Sequence, residues 1–159
     1  AGMPQSIYRD IMSRLQSKRI KIAVDATKDL LMNVLAYHPF VIKPNNHELS
    51  EIFDVTIDSK EKAVVYAKEL QKKGAQNVIV SMAGEGAVFV GSDGSVFTSE
   101  APQGVVNNSV GAGDSMVAKG DYVEAFKMGL CTGSASAFSD QLATREEVEQ
   151  IRRSHIFDF

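Results

Sequence analysis

Strands alternating with helices along the chain predict an α/β protein built on a mainly parallel sheet. Three observations carry that expectation. Short β-branched runs such as NVIVSM at 77–82 are typical of central parallel strands. Apolar residues recur at helical spacing between those runs. The elements follow one another in alternation, with a single paired stretch interrupted by a tight turn and no internal repeat or low-complexity segment.

Element by element, Ile7, Ile11 and Leu15 with Pro4 just ahead predict an amphipathic helix over 5–18. KIAVDA at 21–26 reads as a short strand ending in an acid, and 28–36 as a second helix closed by His38 and Pro39. The apolar residues 40–43, bounded by Pro44, form a buried strand. A short helix over 48–53 follows, then a longer one over 59–73, capped by Asp58 or Ser59 and stopped by Gly74. After the strand at 77–82, strands at 87–90 and 95–99 flank GSDG at 91–94, a hairpin turn. Residues 121–138 form the longest helix. Thr144 with Glu147 opens the last one as a capping box.

Composition narrows the function classes. The 159 residues are 44% hydrophobic and 23% charged, enough apolar material to bury a core. A formal charge of -3, with no basic stripe, argues against a nucleic-acid partner. No apolar run approaches the roughly 20 residues that span a bilayer, so no membrane partner is expected. Cys131 is the only cysteine, and no charged, apolar, cleavable start opens the chain; both fit a cytoplasmic protein. Cys131 is expected to be a packed thiol. His38, His47 and His155 show no ligand spacing and are expected at surfaces or turns.

Ligands of such sheets bind outside the carboxyl ends of the strands. Three segments fall there: Asp25 to Thr27, Lys43 to Glu48, and Ser81 to Gly86. The strongest local signal lies further on, in NNSVGAGDS at 107–115. Its glycines and alanine lead into a helix whose unpaired N–H groups and dipole favour an anion. Asp114 beside that anion hole either caps the helix or accepts a proton from an attacking hydroxyl in phosphoryl transfer. A Walker loop is absent, and Met116 takes the place of the third glycine of a dinucleotide fingerprint.

In order, VIKPNNHEL at 41–49, VSMAGEGA at 80–87 and SVGAGDSMVA at 109–118 resemble the ribokinase-like (phosphofructokinase B) sugar kinases. The resemblance is to the branch acting on phosphorylated ketohexoses, and it covers nearly the whole chain. It implies a three-layer α/β/α fold, with ATP and Mg2+ as cofactors. It further implies Asp114 as catalytic base and Gly111, Ala112 and Gly113 as the backbone anion hole. Asn45 and Glu48 match the family's Asn-x-x-Glu, which organises Mg2+ largely through water, with Asp25 a further candidate for the metal's outer shell. Lys43 is implied at the phosphates, and Ser81, Ala83 and Gly86 along the ATP site. Val105, Asn107, Ser134 and Ala135 would border the adenine, although the small residues over 129–137 could equally serve close helix packing.

The implied reaction is ATP-dependent phosphorylation of a ketohexose phosphate, fructose 1-phosphate first and tagatose 6-phosphate second. A catalytically incompetent nucleotide-binding fragment is the reading from another class. Family members run to roughly 300 residues, a two-domain length, and the chain matches their later half. The sugar-binding part and the lid that builds a homodimer are therefore expected outside residues 1–159, which form one nucleotide-binding part. The joins after Gly2 and after Ala118 are shorter than the family pattern and read as segments omitted between motifs.

Overall fold

The computed structural model describes residues 5–16, 18, 20–25, 28–104, 122–138 and 143–157. They divide into two compact units, one of residues 1–81 with 88–96, the other of residues 82–87 with 97–159. Five strands form one mixed sheet in the order β1 (Ala23–Val24), β2 (Val41–Ile42), β3 (Asn77–Ser81), β4 (Ala87–Val90) and β5 (Val96–Ser99). The first three are parallel, with Val24 opposite Ile42 and Ile42 opposite Val78. Parallel neighbours need crossovers. These are α2 (Lys28–Leu35) between β1 and β2, then α3 (Asn46–Phe53) and α4 (Lys60–Lys72) between β2 and β3.

In the first unit the helices bury the sides that their apolar spacing selects. Leu31, Val34 and Leu35 of α2, Leu49 of α3 and Ala63, Ala67 and Leu70 of α4 are almost fully covered, as are Ile42, Val78 and Val80 of the sheet. Burying a Leu or Val side chain contributes about 1.5–3 kcal/mol, so this cluster dominates the unit's stability. Ser59 caps α4 by accepting from the Lys62 N–H at 3.3 Å. Buried Asn77 ties the sheet to the following turn. Its amide donates to the Phe40 carbonyl at 2.7 Å, and its Oδ1 accepts from the Ser92 N–H at 3.0 Å. The 91–94 turn closes with Gly94 N–H to Gly91 O at 3.1 Å and Gly91 N–H to Ser95 O at 2.8 Å. Gly94 has φ +86°, a value that glycine adopts without penalty.

Helix α1 (Gln5–Gln16) packs on α2. Met12 is buried, whereas Ile11 is 48% exposed. Leu15, one turn after Ile11, is half-buried.

In the second unit, α5 (Tyr122–Phe138) packs against α6 (Arg145–Ser154) around Cys131, Ala135 and Val148. Thr144 and Glu147 form the capping box: the Thr144 N–H donates to Glu147 Oε2 at 2.7 Å, and the Glu147 N–H to Thr144 Oγ1 at 3.4 Å. Burial pushes the Cys131 thiol up to about 11. An acid whose pKa is higher folded than unfolded leaves stability unchanged while both forms stay protonated, and lowers it once the unfolded thiol ionises. Stability should therefore fall as pH rises from about 9 towards 11, by an order of 2–3 kcal/mol at most. Cys131→Ala should flatten that alkaline slope in urea titrations at successive pH values; an unchanged slope would assign it to other groups.

Candidate functional site at the carboxyl edge of the sheet

Parallel register brings the ends of β1, β2 and β3 together. Asp25 follows β1, Lys43 follows β2 and Ser81 ends β3. The ladder continues past the strands: the Lys43 N–H donates to the Val24 carbonyl at 3.3 Å, the Ser81 N–H to the Pro44 carbonyl at 3.1 Å, and Asn45 forms a parallel bridge with Ser81. Lys43 Nζ lies 3.3 Å from Asp25 Oδ2.

Asn45 leaves the sheet in extended backbone (φ -86°, ψ 170°) and caps α3. Its Oδ1 accepts from the Glu48 N–H at 2.8 Å, and Glu48 Oε2 accepts from the Asn45 N–H at 2.9 Å. This reciprocal box satisfies two otherwise orphaned donors and fixes Glu48 on the first turn of α3. Fully buried Leu49 anchors that turn from below. Asp25, Lys43, Asn45, Glu48 and Ser81 thus stand together in the first unit.

The capping box also bears on how the site could hold Mg2+. Asn45 already uses its carbonyl oxygen on the Glu48 N–H, so it serves Glu48's placement first. Glu48 commits one carboxylate oxygen to the cap and keeps the other for a ligand. No group of three or more His, Cys, Asp or Glu among the described residues could cage a metal ion.

The second unit carries a distinct group. Residues Ala83–Glu85 form a 3-10 turn in which the Glu85 N–H donates to Met82 O at 3.0 Å and the Gly86 N–H to Ala83 O at 3.0 Å. The Met82 N–H also donates to Gly86 O at 2.8 Å. Ala83 has φ +48°, in the left-handed region that costs an L-residue roughly 1–2 kcal/mol. No sequence signal marks such a value at alanine. Ser134 is half-buried on α5, whereas Ala135 is fully buried beside Cys131 and Val148. Val105, Asn107, Gly111, Ala112, Gly113 and Asp114 lie outside the described residues, as do both shortened joins.

The parallel carboxyl edge of this sheet gathers a lysine, an amide and two carboxylates at the place where α/β sheets of this kind bind ligands. The pattern of the pfkB family carbohydrate kinases matches residues 1–141, and the chain belongs to that family. It is 39% identical over 159 residues to the 1-phosphofructokinase of Bacillus subtilis, covering 95% of this chain and 52% of that protein. It is 30% identical over 158 residues to the D-tagatose-1-phosphate kinase of Bacillus licheniformis, covering 94% and 52%. Among solved structures, a candidate phosphofructokinase from Staphylococcus aureus superposes with a TM-score of 0.88 at 37% identity, over 96% of this chain and 52% of that one. The fold is the three-layer α/β/α one of ribokinase-like kinases. The chain spans about half the length of the curated relatives it matches. No helix among the described residues is long and apolar enough to cross a membrane.

Proposed function

We propose that the chain is the nucleotide-binding part of an ATP-dependent kinase that converts fructose 1-phosphate to fructose 1,6-bisphosphate. The observation that carries this reading is the cluster of Asp25, Lys43, Asn45, Glu48 and Ser81 at one sheet edge of a pfkB family member. In it, Lys43 attracts the nucleotide phosphates as a point charge. Asn45 holds Glu48 in register for the metal, and Asp25 is a further candidate for the metal's outer shell. Mg2+, when bound, neutralises charge on the phosphates. Ser81 belongs to the same edge, and resemblance alone assigns Ala83, Gly86, Val105, Asn107 and Ser134 to the nucleotide, whereas Ala135, fully buried against Cys131 and Val148, packs the helix pair.

Asp114 takes the proton as the sugar hydroxyl oxygen bonds to the γ-phosphorus and the bond to the bridging oxygen of ADP breaks. The N–H groups of Gly111, Ala112 and Gly113 receive the charge that develops on the transferring group. The full-length protein would be a cytoplasmic homodimer.

A tagatose phosphate is the second substrate reading. It now has two forms: the 6-phosphate implied by sequence resemblance and the 1-phosphate named for the Bacillus licheniformis relative. Calorimetry with Mg-ATP, beside a coupled assay of the full-length protein with each sugar phosphate, tests the proposal. ATP binding with turnover greatest on fructose 1-phosphate is expected. Binding without turnover on any of them would leave a nucleotide-binding module, and the absence of binding would remove both readings.

A further inference from the structure

Because Val24 stands opposite Ile42, the residues that leave β1 and β2 also fall opposite each other. They are Asp25 and Lys43, and the Lys43 N–H to Val24 O bond carries the pairing to that point. Two parallel neighbours one step past their strands present side chains to the same side. Oδ2 of Asp25 and Nζ of Lys43 accordingly meet at 3.3 Å. Their environments differ: the Lys43 side chain is 23% exposed and that of Asp25 58%. A pair with one partner this open contributes little to folding. It does restrict a four-carbon side chain to few of its rotamers, and a group ordered before its ligand arrives loses less freedom on binding.

We propose that Asp25 is a positioning residue that acts through Lys43. It fixes the Lys43 ammonium at the carboxyl edge of β1, β2 and β3, leaving the remaining N–H donors of that ammonium for the phosphates of a nucleotide. This rests on the kinase reading above. It gives Asp25 a duty that needs no metal, in place of the outer-shell duty towards Mg2+.

Metal-free ATP binding separates the two duties, measured by calorimetry in EDTA on the wild-type protein, D25N, D25A, K43M and D25N/K43M. Coulomb's law alone makes removal of a carboxylate near the phosphates tighten ATP binding. Positioning gives the opposite sign. Both Asp25 variants should weaken metal-free binding about tenfold, and the double variant should bind no more weakly than K43M, since Asp25 has nothing left to hold.

Unchanged or tighter metal-free binding in D25N and D25A overturns the assignment, as do additive losses in the double variant. A rise in the Mg2+ needed for half-saturation, with metal-free binding intact, would return Asp25 to the metal. Wild-type protein that binds no ATP fails the kinase reading and this assignment with it; intact wild-type binding with unaltered Asp25 variants fails the assignment alone. Thermal midpoints of D25N and D25A close to wild type are expected from the exposure of Asp25. Loss of cooperative unfolding in both would make the pair a structural one and overturn the proposal.

Discussion

Gly86→Ala is expected to destabilise the protein by about 3 kcal/mol or more. Two costs add at this position. Gly86 has φ +91°, where an L-residue is strained by roughly 1–2 kcal/mol. A Cβ there would also overlap the Ser99 carbonyl oxygen and stand 2.6 Å from the Glu100 carbonyl carbon and 2.8 Å from the Ala101 nitrogen. All three are backbone atoms, so no side chain can turn aside to make room, and overpacking of this kind costs about 1–3 kcal/mol. Gly84 supplies the control. It lies in the same turn, has no positive φ, and a Cβ on it would meet nothing within 4 Å. Gly84→Ala should stay within about 0.5 kcal/mol of wild type. Urea titrations of the two variants check the contrast, and equal midpoints would refute the steric account.

The same turn shows where sequence reading reaches its limit. A glycine at 86 before an apolar strand is a recognisable punctuation mark. Nothing about Ala83 announces its φ of +48°, because the conformation is imposed by the hydrogen bonds of the turn. Strand lengths diverge for a related reason. The run 21–26 is apolar enough for a longer strand, yet among its described residues only Ala23 and Val24 have ladder partners in β2. Hydropathy reports burial, whereas strand length depends on how far a neighbour extends.

The hairpin at 91–94 and the Thr144 capping box were readable because their signals are local and contained in four residues. Asn45-x-x-Glu48 has the same spacing as that capping box, and at the sequence level it read as a ligand pattern. The structure shows that the box forms there too, and it leaves one Glu48 oxygen for other work. One four-residue spacing can therefore organise a helix start and present a carboxylate. The Asp25 and Lys43 pair was not readable at all, since its partners are distant in sequence and meet only through strand register.

Asp114→Asn in the full-length protein is expected to lower kcat about 10²- to 10⁴-fold, the usual contribution of a positioned general base, while Mg-ATP affinity changes little. Asparagine is the informative substitution because it separates the two duties that the GAGD motif allows. It caps a helix as well as aspartate does, so a capping role predicts unaltered folding and near-normal turnover. It cannot accept the proton of a sugar hydroxyl, so a base predicts loss of turnover with the fold intact. Asp114→Ala extends the comparison, since it removes cap and base together and should add a stability loss of about 1 kcal/mol to the same kinetic defect. Near-normal turnover in Asp114→Asn would remove the base assignment and leave the capping reading of Asp114.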